Sequence, residues 1–219
     1  MRRSLESLAS ALFHVKALQF GAFKLKLHET QPQAPLSPIY FNLRTPDNPK
    51  AGPLGADEVR QVAGALIMMI ASDQIVFEGI AGIPNAGLPF VAGMQEIANG
   101  TLQVVKLQKK EEGGRRWIDH VTAKGGLHRG ARVLMIDDVV TGAESKLESI
   151  KVLRKAGFIV EDLLIVIDRE QGGRKLVEKE GVFVHRVFTL TDLVGFYQSK
   201  GWISMEKYNE VLKYLGITS

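Results

Sequence analysis

From residue 75 to residue 188 the chain alternates between short, almost wholly apolar runs and amphipathic stretches of helical period. The apolar runs are "IVFEGI" (75–80), "LQVVKL" (102–107), "RVLMI" (132–136), "VEDLLIVID" (160–168) and "FVHRVF" (183–188). Between them stand "GLPFVAGMQEIA" (87–98), "ESKLESIKVLRKAG" (144–157, with Gly157 at its end) and "KLVEKEG" (175–181). A strand with no polar face must be covered on both sides. Strands of that kind alternating with helices predict an α/β fold, a mostly parallel sheet flanked by helices. Ligands of such sheets sit beyond the carboxyl ends of the strands, where loops lead into helices.

The flanks are less regular. Leu5, Leu8, Ala9, Leu12 and Phe13 share one face of an N-terminal helix. Two irregular stretches, 28–38 and 42–55, enclose the short extended segment "IYFN". A helix is expected from about Asp57, as its cap, to about Ala71. Two short helices close the chain. The expected organisation is an N-terminal segment over 1–55, an α/β core over 56–200 and a C-terminal helix over 201–219. A chain of 219 residues allows one good-sized core or two small ones. No apolar run approaches the roughly 20 residues of a membrane span. The absence of cysteine suits a reducing cytoplasm, and a net charge of +4 would suit a polyanionic small substrate.

"VLMIDDVVTGAESKLESI" (133–150) carries the most chemistry. A buried strand runs into adjacent acids, Asp137 and Asp138, then into a loop and a helix. Amides at a helix N-terminus bind phosphate, and the hydroxyls of Thr141 and Ser145 add donors. The acids would then take ribose hydroxyls or a Mg²⁺. A solvated strand-to-helix turn with an acidic cap fits the same residues.

"VLMIDDVVT" resembles the motif with which type I phosphoribosyltransferases hold phosphoribosyl diphosphate (PRPP). "ALQFGAFKLK" (17–26), "SPIYFNLR" (37–44), "GIPNAGLP" (82–89), "IDREQGG" (167–173) and "VHRVFTLTDL" (184–193) are similar, in order, to segments of the orotate branch. The resemblance covers roughly residues 17 to 195. It implies the type I phosphoribosyltransferase fold with a small N-terminal hood. It implies transfer of phosphoribosyl from PRPP to orotate, giving orotidine 5′-monophosphate and pyrophosphate, in pyrimidine synthesis. Asp137 and Asp138 would hold the ribose, with Mg²⁺ carried by PRPP near them and no direct protein ligand. Thr141, Gly142 and Ser145 would line the phosphate and base side. Arg169 would bind orotate, with Lys26 and Phe41 approaching the base. A mobile loop over 108–126 would close on the site, with Lys106, just ahead of it, and Lys110 as catalytic cations. In the family that loop reaches the neighbouring subunit's site, which implies a homodimer. The implied enzyme is cytoplasmic, with neither nucleic acid nor membrane as a partner.

The chain departs from the family pattern at Ala143 and Glu144 in the phosphate loop, and at Leu107 and Glu112 in the mobile loop. Ala143 stands where a glycine would allow positive φ or close approach. Glu144 brings a negative charge to the phosphate. These changes, with a lengthened hood, keep two alternatives in view: a phosphoribosyltransferase for another base, and a non-catalytic PRPP- or nucleotide-binding relative. No GxxxxGK[ST], no HExxH and no histidine cluster at metal spacing suggests other chemistry.

Overall fold

The computed structural model describes residues 3–25, 28, 31–113, 115–123 and 126–217. The central sheet has the order β3 (Gly79–Gly82), β6 (Val133–Val140), β7 (Asp162–Asp168), β8 (Phe183–Thr189), and each neighbouring pair is parallel. Side-chain alternation along these strands divides the core in two. Leu134, Ile136, Leu164 and Val166 face one apolar cluster, whereas Val133, Met135, Leu163 and Ile165 face the other. That two-sided burial is why the strands read as unbroken apolar runs.

The first face is covered by α1 (Arg3–His14), α2 (Ala56–Ser72), α3 (Leu88–Ile97), α6 (Leu190–Ser199) and α7 (Met205–Tyr214). The antiparallel pair β1 (Leu18–Phe23) and β2 (Ser37–Phe41) joins the same cluster through Leu18, Ile39 and Phe41. The second face is covered by α4 (Glu144–Lys155) and α5 (Gly173–Glu178). Helix α2 is capped two residues earlier than expected. Gly55 occupies the cap, and its N–H donates to Glu58 Oε2 at 2.9 Å. Asp57 instead lies in the first turn, where the helix dipole favours it.

The segment expected as a long loop over 108–126 is a two-stranded antiparallel ribbon, β4 (Val105–Glu112) with β5 (Arg115–Ala123). Its root is continuous with the sheet through a parallel bridge between Val104 and Ile80. Val105, Leu107 and Ile118 are buried in the second cluster, and the Ile118 N–H donates to Glu148 of α4 at 2.8 Å. Leu107 in place of a basic residue therefore pins the ribbon to the core.

Candidate active site

Three loops converge at the carboxyl ends of β3, β6 and β7. The first, 83–87, contains a cis peptide between Pro84 and Asn85. Its Ile83 N–H donates to the Ile136 carbonyl at 2.9 Å. A Cβ on Gly87 would lie 2.3 Å from the same carbonyl, so only glycine lets this loop lie against β6. The second, 141–143, leads from β6 into α4. The third, 169–172, leads from β7 into α5, and its Arg169 N–H donates to the Val140 carbonyl at 3.1 Å. A Cβ on Gly173 would lie 2.4 Å from the Thr141 carbonyl oxygen. The "DREQGG" segment is thus pressed directly onto the loop that follows the acid pair.

The two aspartates do not stand side by side at the rim as expected. Asp137 shares the phase of Val133 and Met135 and turns into the α4 side of the sheet. There it is buried, 3% exposed, and both its oxygens are engaged. Oδ2 lies 2.7 Å from Lys146 Nζ, and Oδ1 accepts from the Asp138 N–H at 2.9 Å. Lys146 is itself buried and donates also to the Val139 carbonyl at 2.7 Å. Burial works against its charge, but Asp137 and Asp138 outweigh that and the ammonium's pKa is raised. Asp138 is half-buried, and its Oδ1 accepts from the Val139 N–H at 2.6 Å. Burial raises its pKa to about 7, and Asp137 adds to the shift; Lys146, the Val139 N–H and Arg44 oppose it. Neither Lys146 nor Arg44 was singled out from the sequence. Lys146 had a readable signal, because it falls at helical spacing with buried Ile150 and Leu153. Arg44 had none beyond its place in "SPIYFNLR".

In the phosphate loop, Gly142 is exposed and Thr141 and Ser145 are half-buried at the start of α4. Ala143 has φ −114°, an ordinary conformation for an L-residue, and its side chain is buried in the second cluster. The expected penalty for losing glycine there does not arise. Glu144 opens α4, and its carboxylate lies 3.7 Å from where a Cβ on Gly142 would stand. The negative charge therefore lies over the loop.

Arg169 is 4% exposed. Its Nη2 donates to Ser37 Oγ at 3.0 Å, and its guanidinium lies 5.3 Å from the centroid of the Phe41 ring. Burial lowers its pKa, with Tyr214 acting in the other direction. Glu170 does not pair with it. Glu170 accepts instead from the N–H and hydroxyl of Thr191, at 2.8 and 2.5 Å. Arg169 Nε and Gln171 Oε1 are buried without a hydrogen-bond partner. Lys26 lies outside the described residues.

On the ribbon, Lys106 and Lys110 are exposed, and Lys110 Nζ lies 2.6 Å from Asp119 on the facing strand. Among the described residues, no group of three or more histidines, aspartates or glutamates could hold a metal ion. With Asp137 taken by Lys146, the acid pair offers Asp138 alone. That fits a Mg²⁺ held chiefly by substrate phosphates rather than by a protein cage.

No family model matches the chain. It is 30% identical over 204 residues to the orotate phosphoribosyltransferase of Cenarchaeum symbiosum, covering 92% of this chain and 94% of that protein. It is 29% identical over 212 residues to the uridine 5′-monophosphate synthase of Bos taurus, but spans only 40% of that protein's length. Among solved structures, orotate phosphoribosyltransferase from Aeropyrum pernix superposes with a TM-score of 0.66 at 25% identity, covering 90% of this chain and 99% of that one.

Proposed function

Because the chain belongs to the orotate phosphoribosyltransferase family, we propose that it transfers phosphoribosyl from PRPP to orotate, releasing pyrophosphate and forming orotidine 5′-monophosphate. One observation carries the reading. The contact between Gly173 and Thr141 joins a cationic, aromatic-backed shelf to a strand-to-helix loop suited to a sugar phosphate. Arg169 over Phe41 suits a flat anionic base, since a guanidinium offers a planar fork to a carboxylate edge. The amides opening α4 and the hydroxyls of Thr141 and Ser145 suit the 5′-phosphate. Asp138 accepts from the ribose hydroxyls.

The C1′–O bond breaks with its electron pair leaving on pyrophosphate, and the base nitrogen bonds to C1′ in its place, its N–H proton passing to the departing pyrophosphate or to water. The protein's part is to align the two reactants and to stabilise charge as it separates. Lys106 and Lys110 on the ribbon supply cations for the departing pyrophosphate. A Mg²⁺ arriving with PRPP would neutralise part of that charge, and Asp138 is the protein carboxylate that would face it. We place the enzyme in the cytoplasm, which its lack of cysteine suits. We also read it as a homodimer. An open groove of about 650 Å³ between α3 and β4, lined by Leu88, Val91, Leu102 and Leu107, gives a second copy an apolar face to cover.

Glu144 favours a second reading, a relative that binds PRPP without turning it over, because its carboxylate lies over the phosphate loop. A steady-state assay with PRPP, Mg²⁺ and a panel of bases separates the two. Turnover of orotate supports transfer to orotate, turnover of another base reassigns the substrate, and binding without turnover supports the second reading.

A further inference from the structure

Lys146 has no place in the chemistry just described, yet it is a buried cation beside the site, paired with Asp137. Its side chain is 8% exposed and that of Asp137 is 4% exposed. A buried lysine without a carboxylate, or a buried carboxylate without a cation, would be strongly unfavourable, so each residue accounts for the other. The pair also has a consequence for ligands. Asp137 has one oxygen on Lys146 and the other on the Asp138 N–H. A ribose hydroxyl or a divalent cation approaching it would meet an ammonium already in place. A second hydrogen bond, from Lys146 to the Val139 carbonyl, fixes the backbone just before the phosphate loop.

We propose that Lys146 is a positioning residue that withdraws Asp137 from the ligand, leaving Asp138 as the single carboxylate for the ribose hydroxyls and making PRPP binding only weakly dependent on divalent cation. The reasoning is electrostatic. PRPP is a polyanion, and two ionised carboxylates at its ribose would repel it unless a metal screened them. With Lys146 in place, one of the two negative charges is cancelled within the fold. The remaining carboxyl, Asp138, has its Oδ1 on the Val139 N–H and is half-buried, so it is the one still open to a ligand. The inference rests on the phosphoribosyl-transfer reading above.

The test is titration calorimetry of PRPP into the intact protein, once with Mg²⁺ and once with a chelator. Wild-type affinity should differ by less than about fivefold between the two, which is under 1 kcal/mol. In Lys146→Met the metal-free affinity should fall about thirtyfold further than the affinity with Mg²⁺, about 2 kcal/mol. A purely structural lysine would weaken both equally. Should Lys146→Met fold poorly, Asp137→Asn with Lys146→Met removes both charges together. That double variant should bind PRPP without metal far better than Asp138→Asn does. The proposal is overturned if the double variant loses as much as Asp138→Asn, or if wild-type binding collapses on chelation. If orotate is turned over while these binding results fail, this inference alone falls. If PRPP does not bind under either condition, both it and the functional reading fall.

Discussion

At the scale of single residues, the site is governed by which polar groups the fold has already satisfied. Arg169 keeps a buried Nε without a partner while its Nη2 is held by Ser37. It is therefore anchored, with its guanidinium held over the Phe41 ring. In Arg169→Ala we expect orotate binding to weaken by about tenfold to a hundredfold, the worth of one charge-assisted hydrogen bond, with PRPP binding preserved. Separate titrations of the two ligands check this, and an equal loss of both would remove Arg169 from the base. Asp138 has the opposite character. Its carboxyl holds a proton up to about pH 7 in the folded chain, well above the usual carboxylate range. Between those two values the folded state binds the extra proton. The stability this group contributes is therefore full below the ordinary carboxylate pKa and is lost as pH rises through about 7. Urea unfolding at a series of pH values should show the wild type losing ground to Asp138→Asn across that window; parallel curves would contradict it.

At the scale of elements, the catalytic geometry depends on one loop pressed upon another. Adding a methyl at Gly173 would place it 2.4 Å from the Thr141 carbonyl, so the two loops must part. Gly173→Ala should reduce kcat/KM for orotate by about tenfold or more, because a displacement on the order of 1 Å is enough to spoil alignment. Its cost in stability should be about 1–3 kcal/mol. Kinetics and a denaturation curve on the same preparation would check this, and unchanged kinetics would deny the contact a role. The elements themselves were unequally legible in the sequence. β6 and β7 were readable because both faces of each strand are buried, leaving continuous apolar runs. The ribbon was not. Beyond Leu107, its first strand is exposed at every position, so no two-residue alternation marks it as a strand. Asp137 and Asp138 were legible as a pair at a strand end, but not as residues of opposite fate. That outcome depends on Lys146 reaching back from α4, and its place at helical spacing with buried Ile150 and Leu153 marks it as inward-facing without saying which carboxylate it meets.

At the scale of the whole molecule, the N-terminal segment expected as a small hood could behave as its own unit or as part of the sheet's core. Its apolar residues argue for the latter. Leu8, Leu12, Ile39 and Leu43 share one cluster with Leu66 of α2, Leu164 of β7 and Tyr197 of α6. The Tyr197 hydroxyl donates to the Ala9 carbonyl at 3.0 Å, and Phe13, Tyr197 and Trp202 pack ring to ring. On the opposite edge, His185 of β8 lies between Asp73, just beyond α2, and Asp162 of β7, at 2.7 and 2.8 Å. A segment whose side chains complete another segment's core cannot unfold first without exposing both. The chain carries two tryptophans, Trp117 on the ribbon and Trp202 in the aromatic cluster against α1. In Trp117→Phe, fluorescence reports only on the cluster that ties the N-terminal helix to the C-terminal ones, while far-ultraviolet circular dichroism reports on the whole chain. Guanidinium unfolding should give coincident transitions by the two probes, the mark of one cooperative unit. A fluorescence transition at clearly lower denaturant would mean that the N-terminal segment detaches on its own, and that Phe41 and Ser37 can leave Arg169 while the sheet stays folded.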